Sequence, residues 1–340
     1  MYETVRLVLE MPRNYNQSEE VPMGAQPQKR KDDSRSLPGR VALVTGASRG
    51  AGRAIAAVLG EHGATVYVTG RSVRGQPTTD NLPGTVEESA EEVTRRGGQG
   101  IALRCDHANE REVESLLRKV RDERGRLDIL VNNAWGGYEG ERLMPAYFWQ
   151  APLRLWDAMI DRGLKAHLLA TYFAIPLMIE SASASAAALT KSSHRPGLIV
   201  STVAWDHDKY IGNFYDVAKH SIVRLLWGLA MELRQHHIAT VALAPGFMRT
   251  ERVMSHAKGE ADWKKIPWLK KSESPEYLGR AVAALAGDAR LMRRSGKAFH
   301  VGELALEYGF TDTDGRRVPP FLIRESFVEL VKKFEKQRGG

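Results

Sequence analysis

The chain has 340 residues, of which 43% are hydrophobic and 26% are charged, as in an ordinary globular protein. Its single cysteine, Cys105, excludes an internal disulfide bond and favours a reducing, cytoplasmic setting. The formal net charge is +8, but apart from Lys29–Lys31 the basic residues are dispersed among acidic ones, which argues against a nucleic-acid partner.

Residues 1–37 are mostly polar, are interrupted by prolines and show no clear hydrophobic period. This composition predicts a flexible N-terminal extension. Its four glutamates argue against a mitochondrial transit peptide, and it lacks the apolar core of a secretion signal.

From Arg40 onward, short β-branched runs alternate with amphipathic segments. The predicted strands lie in RVALVTG, ATVYVTG, GIALRCD, LDILVNNA, GLIVSTVAW, ATVALAPG and KAFHVG, and the predicted helices include 50–61, 110–124, 152–180, 214–235 and 275–287. Apolar strands separated by helices are typical of a parallel sheet covered on both faces. The pattern predicts one α/β domain over residues 38–318, a doubly wound parallel sheet of about seven strands.

Four stretches need separate interpretations. The apolar run Leu168–Ile179 is too short to span a bilayer and predicts a buried helix, so we expect no membrane span. The small-residue stretch 181–197 predicts a surface excursion before the next strand. Segment 247–273 is long for a connection and predicts a lid over the substrate. Residues 319–340 predict a C-terminal helical tail.

The first predicted strand and helix are joined by a glycine-rich turn, VTGASRGAGRAIA, with Gly46, Gly50 and Gly52. Glycine lets the backbone turn sharply and approach a pyrophosphate, and the helix that follows points free N–H groups at that anion. A glycine triplet alone is a weak signal, but its position between a strand and a helix makes it a strong one. The loop, with Ser48 and Arg49 inside it, predicts a dinucleotide site.

The second predicted strand favours NADP(H) over NAD(H). A site for NAD usually has an acidic residue at the end of this strand, whereas this strand ends in Gly70 and Arg71. Together with Arg49 and the nearby Arg74, the Arg71 guanidinium would bind a 2′-phosphate well. The alternative is that Arg71 only caps the end of its strand.

Polar residues follow the third and fourth predicted strands. Asp106 comes after the third strand, and Asn132 and Asn133 come at the end of the fourth. Ligands of parallel sheets bind at the carboxyl ends of the strands, so we expect these residues at the cofactor site. Asp106 could instead be the N-cap of the helix that starts near Glu110.

Four motifs occur in the order and spacing of the short-chain dehydrogenase/reductase (SDR) superfamily: TGASRGAG, NNA, YDVAK and APGFMRT. The resemblance covers residues 40–318. The stretches FWQAPLRLWD and YGFTDTDGR resemble the subgroup that contains the vertebrate dehydrogenase/reductase SDR family member one and its bacterial relatives. The resemblance implies a Rossmann-type single domain, NAD(P)-linked chemistry on CH–OH and C=O groups, and a homodimer or homotetramer.

By the same resemblance, Tyr215 is the catalytic tyrosine, and Lys219 is the lysine that also binds the nicotinamide ribose. The other positions that contact the cofactor in this family correspond to Asn132, Ala134, Pro245, Gly246 and Thr250. Two residues depart from the family pattern. Trp135 stands where the family has glycine after NNA, and Gly163 stands where a helix asparagine often completes the proton relay.

The family's catalytic serine has no clear counterpart. Aligning the start of the fifth predicted strand places Val203 and Ala204 at its position, whereas the common spacing from Tyr215 reaches Thr202 or Ser201. Ser201 and Thr202 are therefore the candidates for hydrogen-bonding the substrate oxygen, where charge develops.

Elementary chemistry explains why a proton-transfer site would pair Tyr215 with Lys219. A tyrosine with a pKa of about 10 is a reluctant base at neutral pH, and a nearby ammonium favours its phenolate form. Residues four apart share a helix face, so Lys219 can supply that ammonium. Tyr215 would then be the general acid in reduction and the general base in oxidation. A Tyr-x-x-x-Lys pattern arises easily by chance, and its position behind a complete cofactor motif favours the catalytic interpretation.

The expected substrate is a bulky hydrophobic ketone or the matching secondary alcohol, because aromatic residues crowd the expected entrance. They are Trp135, Tyr138, Tyr147, Phe148, Trp149 and Trp205. Residues 147–152 could equally pack under a helix or at a subunit interface. His207 is interpreted as a solvated loop residue, and no spacing of residues predicts a metal site.

Three functions therefore stay open. The first is an NADP(H)-dependent ketone reductase. The second is a non-catalytic NADP(H)-binding sensor or scaffold, since the serine is uncertain and residue 163 is glycine. The third is a redox-neutral dehydratase that uses the same tyrosine.

Overall fold

The computed structural model describes residues 36–137, 139, 146–187, 195–205, 210, 212–255, 263–265, 269–321, 328–329 and 331–332. Residues 1–35 of the predicted extension and most of the predicted C-terminal tail lie outside this part. Two pieces of the predicted lid, 256–262 and 266–268, also lie outside it.

Seven parallel strands form one sheet in the order β3-β2-β1-β4-β5-β6-β7. They are β1 (Val41–Val44), β2 (Thr65–Gly70), β3 (Gln99–Arg104), β4 (Ile129–Asn132), β5 (Gly197–Thr202), β6 (Ile238–Ala244) and β7 (Lys297–His300). The sheet confirms the predicted doubly wound α/β fold. The strand order reverses between β1 and β4, and such a switch point opens a crevice at the carboxyl ends of the strands.

Helices connect the strands and cover both faces of the sheet. They are α1 (Gly50–Glu61), α2 (Val86–Arg95), α3 (Glu110–Arg124), α4 (Arg154–Met159), α5 (Lys165–Ala187), α6 (Asn213–Leu233), α7 (Glu251–Met254), α8 (Pro275–Gly287) and α9 (Val301–Tyr308). A π-helical turn, Ile160–Leu164, joins α4 to α5. The predicted segments 50–61, 110–124 and 275–287 coincide with α1, α3 and α8.

Two apolar cores hold these layers together. One face of the sheet packs against α1, α2, α8 and α9, with Ile55 and Leu278 fully buried. The other face packs against α3, α5 and α6, with Leu117 and Leu226 among its buried residues. Burying one such side chain stabilises the fold by roughly 1.5–3 kcal/mol.

The stretch Arg154–Ser185 is long and apolar enough to cross a bilayer by length and composition alone. In the structure its inner side belongs to the core, where Leu177 and Met178 are buried, while Leu168 and Tyr172 on the other side are exposed. The prediction of a helix at Leu168–Ile179 is therefore confirmed, but this helix is buried on one face only.

The prediction of a surface excursion is wrong for residues 181–187, because α5 continues to Ala187. Ser181 is buried, accepts a hydrogen bond of 2.9 Å from the backbone N–H of Leu127, and donates one of 2.6 Å to the carbonyl of Leu177. The Ser181 hydroxyl thus links α5 to the segment that leads into β4. Residues 188–194 of the same stretch lie outside the described part.

The structure also contains a helix that the predicted segments omit, α2. Thr85 caps its N-terminus by accepting a hydrogen bond of 3.2 Å from the N–H of Glu88, and the Glu88 carboxylate accepts the N–H of Thr85 at 3.1 Å. This capping box is readable in the sequence as T-x-x-E.

The two ends of the predicted lid segment are fastened to each other. The N–H of Glu273 donates to the carbonyl of Phe247 at 2.9 Å, and the N–H of Arg249 donates to the carbonyl of Glu273 at 2.9 Å. The segment therefore leaves and rejoins the domain at one point.

A buried ion pair ties that point to the C-terminal part of the domain. The Arg249 guanidinium donates to Asp312 at 3.1 Å and to the carbonyl of Ser272 at 2.6 Å. Asp312 is fully buried and also accepts the N–H of Ser274 at 2.9 Å. Asp312 lies in the stretch YGFTDTDGR, so this subgroup motif anchors the base of the predicted lid.

We expect Asp312→Ala to lower the free energy of unfolding by about 3–5 kcal/mol, because it leaves the buried Arg249 charge without its partner. Urea denaturation followed by circular dichroism measures this change. Glu91→Gln, which breaks the exposed pair with Arg74, is the control and should cost less than about 1 kcal/mol. Equal losses in the two variants would contradict a structural role for the buried pair.

Candidate active site

A cavity of about 320 Å³ lies in the crevice between the ends of β1, β2 and β4. It is bordered by the glycine loop, by Arg71 and Ser72 after β2, by Asp106 after β3, and by the segment that follows Asn132. Thr250 and the start of α7 form another wall, and Thr79, Leu82, Arg162 and Ala166 also line it.

The glycine loop and the end of β4 approach each other without room for side chains. Gly46 has a φ of +64°, and a Cβ there would lie 2.6 Å from the Cα of Ala134. A Cβ on Gly52 would lie 2.3 Å from the carbonyl oxygen of Gly46. The Asn133 side chain donates to the carbonyl of Gly46 at 3.0 Å, and the N–H of Ala134 donates to the Thr45 hydroxyl at 3.0 Å. Glycine is thus required at residues 46 and 52.

An acidic side chain occupies the anion-binding end of α1. The N–H of Gly50 donates to the Glu251 carboxylate at 2.8 Å. The next residue, Arg252, also lines the cavity and pairs with Asp80, in the turn that follows β2. The start of α7 therefore bridges the crevice. The sequence analysis missed Glu251, and its position directly after Thr250 is the only signal that could have found it.

Arg71 directly follows β2 and lines the cavity, as predicted for a residue near the ribose. Its guanidinium pairs with Glu139 and lies 3.5 Å from the hydroxyl of Thr79. Whether Arg71 binds a cofactor or only caps the end of β2 stays a prediction.

The other two predicted arginines differ from each other. Arg49 lines the cavity and donates to the Ser72 hydroxyl at 2.8 Å and to carbonyls of the turn Leu82–Gly84, so it fixes that turn. Arg74 is exposed and pairs with Glu91 at 2.8 Å, away from the cavity. Of the three predicted arginines, Arg49 and Arg71 thus line the cavity and Arg74 does not.

Asp106 lines the cavity, and the alternative that it caps α3 is wrong. Its carboxylate accepts the N–H of Ala108 at 3.0 Å, whereas Asn109 caps the helix. Burial raises the pKa of the neighbouring Cys105 thiol to about 12 and lowers the pKa of His107 to about 4, so both groups are neutral at pH 7. Within the described residues no cluster of His, Cys, Asp and Glu could hold a metal ion.

The structure brings Tyr215 and Lys219 to the same side of α6. Tyr215 is half-buried, while Lys219 is buried and places its Nζ 5.8 Å from the Tyr215 ring centroid. Lys219 donates to the carbonyl of Thr202 at 3.3 Å. Burial lowers the pKa of Lys219 to about 7. The shared helix face is as predicted, and the proposed proton transfer stays a prediction.

Trp135 and Gly163, the two residues that depart from the family pattern, lie against each other beside Tyr215 and Lys219. The Trp135 ring lies flat beneath Lys219, with Nζ 3.5 Å from the ring centroid, and perpendicular to Tyr215 at 5.6 Å between centroids. A Cβ on Gly163 would lie 2.7 Å from Cζ3 of the indole. Trp135 therefore fills the space that a side chain at residue 163 would need.

Both candidate hydroxyls on β5 are already engaged within the sheet. Ser201 accepts a hydrogen bond from the Asn132 amide at 3.4 Å, and Thr202 donates to the carbonyl of Asn132 at 3.4 Å. The Asn132 amide also donates to Thr171 at 2.8 Å. Neither hydroxyl borders the 320 Å³ cavity among the residues described. Their role toward a substrate stays a prediction.

A buried carboxyl group lies against the segment expected to hold the nicotinamide. Pro245 and Gly246 follow β6 directly, and a Cβ on Gly246 would lie 2.7 Å from Oε2 of Glu273. Burial raises the pKa of Glu273 to about 8, so this carboxyl is largely protonated at pH 7. No local pattern in the sequence marks Glu273, because its neighbour is 27 residues away in the chain.

The aromatic segment after the fourth strand is largely exposed. Phe148 and Trp149 are 58% and 78% exposed, although Phe148 packs on Phe214 at 5.4 Å and Trp149 stacks on Tyr147 at 4.9 Å. The carbonyl of Ala146 accepts a hydrogen bond from Asn213 at the start of α6, which ties the segment to the helix that carries Tyr215. Two predicted residues lie outside the described part, Tyr138 and His207.

Comparison with known proteins agrees with this geometry. Residues 40–261 match the short chain dehydrogenase family. Dehydrogenase/reductase SDR family member 1 of Mus musculus is 36% identical over 84% of this chain and 87% of that protein. A 3-oxoacyl-(acyl-carrier-protein) reductase of Synechocystis is 29% identical over 78% of this chain and 96% of that protein. The crystal structure of a short chain dehydrogenase from Mycobacterium thermoresistibile shares the fold, with a TM-score of 0.68 at 24% identity, covering 85% of this chain and 96% of that one.

We expect Glu251→Gln to bind a dinucleotide more tightly than the parent chain. The Glu251 carboxylate accepts the Gly50 N–H where a pyrophosphate would bind, so an incoming anion must displace a negative charge. The dissociation constant should fall about 2- to 10-fold, measured by titration calorimetry at low salt. Glu114→Gln, on the exposed face of α3, is the control for the change of net charge. Weaker binding by Glu251→Gln would show that the carboxylate helps the ligand instead.

Proposed function

The chain belongs to the short chain dehydrogenase family, and we propose that it is an NADP(H)-dependent enzyme that reduces a ketone on a bulky hydrophobic substrate or oxidises the matching secondary alcohol. Family membership supports the coarser conclusion, an oxidoreductase acting on CH–OH and C=O groups. The observation that carries the proposal is the position of Tyr215 and Lys219. Both side chains contact Trp135, and Trp135 lines the cavity.

The residues present fit a nicotinamide dinucleotide. The glycine loop has no room for side chains at Gly46 and Gly52, and the N–H of Gly50 points to an anion site at the start of α1. When bound, the cofactor would supply or accept the hydride. Residues of the glycine loop, Arg71, Asp106 and Thr250 would hold it, because all of them line the cavity.

Tyr215 would move the proton in this reaction. In reduction its hydroxyl donates a proton to the oxygen of the former carbonyl, and in oxidation its phenolate removes the proton from the alcohol. The Lys219 ammonium, 5.8 Å from the Tyr215 ring, favours the phenolate. Because Lys219 is buried, water screens this charge little.

The preference for NADP(H) is supported by the end of β2. Gly70, Arg71 and Ser72 supply a guanidinium and a hydroxyl there but no carboxylate for a ribose 2′-OH. A 2′-phosphate would compete with Glu139 for Arg71. A charge-assisted pair between phosphate and guanidinium is among the stronger hydrogen-bonded contacts in proteins.

The substrate proposal rests on the exposed aromatic surface next to α6. Phe148 and Trp149 expose most of their area close to the helix that carries Tyr215, and such surfaces favour bulky apolar ligands. The similar Synechocystis protein is a 3-oxoacyl reductase, which supports a carbonyl substrate.

One observation favours a second function, a non-catalytic NADP(H)-binding sensor. Ser201 and Thr202 are both buried and hydrogen-bonded to Asn132, and neither borders the 320 Å³ cavity among the residues described. A sensor would bind NADPH and turn over no carbonyl compound.

We expect the purified chain to consume NADPH with bulky hydrophobic ketones or quinones, and Tyr215→Phe to lower this rate by a factor of about 10² to 10⁴. The loss follows from removing the proton donor while keeping the ring. Tyr172→Phe, an exposed tyrosine on α5, is the matched control. NADPH binding without turnover of any compound favours the sensor. Turnover that survives Tyr215→Phe rules out the assignment of Tyr215.

Arg71→Gln should weaken NADPH binding by about 10-fold or more and change NADH binding less than about 3-fold, because only NADPH has a phosphate for the guanidinium. Fluorescence titration with each cofactor measures both constants. Arg74→Gln, which alters the exposed pair with Glu91, is the control. A similar loss for both cofactors would count against a 2′-phosphate contact.

A further inference from the structure

We propose that Trp135 is a positioning residue whose indole face holds the Lys219 ammonium beside Tyr215. This inference rests on the proposed function, in which Lys219 assists proton transfer by Tyr215. It assigns a role to the residue at which the chain departs from the NNAG pattern of its family.

The contact itself is close, and Lys219 is buried. Nζ of Lys219 lies 3.5 Å from the Trp135 ring centroid, and its hydrogen bond goes to the carbonyl of Thr202 at 3.3 Å. Among the residues that the structure describes, the titratable groups that face Lys219 are Tyr215 on its own helix and His167 on α5. Burial keeps the pKa of His167 well below its ordinary value, so this imidazole is neutral. The indole face and one carbonyl are therefore the main groups that stabilise the ammonium.

The indole packs closely against two glycines. A Cβ on Gly163 would lie 2.7 Å from Cζ3 of the indole, and a Cβ on Gly137 would lie 3.0 Å from Nε1. Gly163 belongs to the π-helical turn Ile160–Leu164, an irregularity that is frequent at functional sites. The perpendicular Tyr215 ring closes a further side at 5.6 Å. The ring plane under Lys219 is thus fixed by packing.

Two opposing effects act on the charge of Lys219. Burial favours the neutral amine and lowers the pKa of Lys219 to about 7, whereas the π face of an indole attracts the ammonium. The attraction is present while Lys219 is protonated in the folded chain, below about pH 7, and is lost as the pH rises through that value. A phenylalanine at residue 135 would keep a weaker π face, whereas a leucine there would be apolar but would have no π face.

The test compares Trp135→Phe with Trp135→Leu by urea denaturation from pH 5.5 to 9, each with Lys219 present and in the Lys219→Met background. With Lys219 present, the Leu variant should unfold more easily than the Phe variant at pH 5.5. The unfolding constant of the Leu variant divided by that of the Phe variant should fall about 2- to 30-fold between pH 5.5 and pH 9. With Lys219→Met the ratio should not change with pH. If Trp135→Leu does not fold, Trp135→Met replaces it as the variant without a π face.

A ratio that is independent of pH with Lys219 present overturns the inference, because packing alone would then explain Trp135. The denaturation experiment needs no substrate, so this failure can be told from a failure of the proposed reaction. Where turnover is found, Trp135→Leu should also shift the pH profile of alcohol oxidation upward by about 0.5–1.5 pH units, and Trp135→Phe should restore most of it. Unshifted profiles in both variants likewise overturn a positioning role.

Discussion

The site depends on one close approach, that of the glycine loop after β1 to the segment after β4. A Cβ on Gly46 would meet the backbone of Ala134, and the Asn133 amide bonds the carbonyl of Gly46 from the other segment. This contact sets the width of the crevice at the switch point of the sheet. It also fixes the start of the chain that leads into Trp135, which lies on Lys219. The cofactor loop and the proposed proton-transfer pair are therefore positioned by the same few backbone atoms.

The sequence predicted the fold well because its signals are local. The glycine loop, the apolar strands and helices such as α1 and α8 follow from periodicity and from Gly and Pro at helix ends. The predictions fail where contacts between residues far apart in the sequence determine the structure. The helix continues through Ser181, whose hydroxyl bonds the distant N–H of Leu127. Asp106 and Asn109 are both acceptable caps by composition, and only the geometry of the turn selects Asn109.

Predicting the candidate site succeeded for residues in motifs and failed for residues brought in by tertiary contacts. Tyr215 and Lys219 share a helix face by their spacing alone. Glu251 reaches the N–H of Gly50 across 201 positions of sequence, and no local pattern marks such a pair. The flat contact of Trp135 with Lys219 joins residues 84 positions apart, and the indole packs against Gly163 in the π-helical turn, so no local pattern predicts it.

The exclusion between the Trp135 indole and a side chain at residue 163 has an evolutionary consequence. With the indole in place, a Cβ at residue 163 would overlap it, so a chain that gained tryptophan before glycine would be poorly packed. The substitution to glycine at residue 163 therefore has to come first on any path by single steps, and once the tryptophan is present it cannot easily be reversed. Among related chains, tryptophan at position 135 is expected to occur only together with glycine at position 163, because the indole leaves no room for a side chain there.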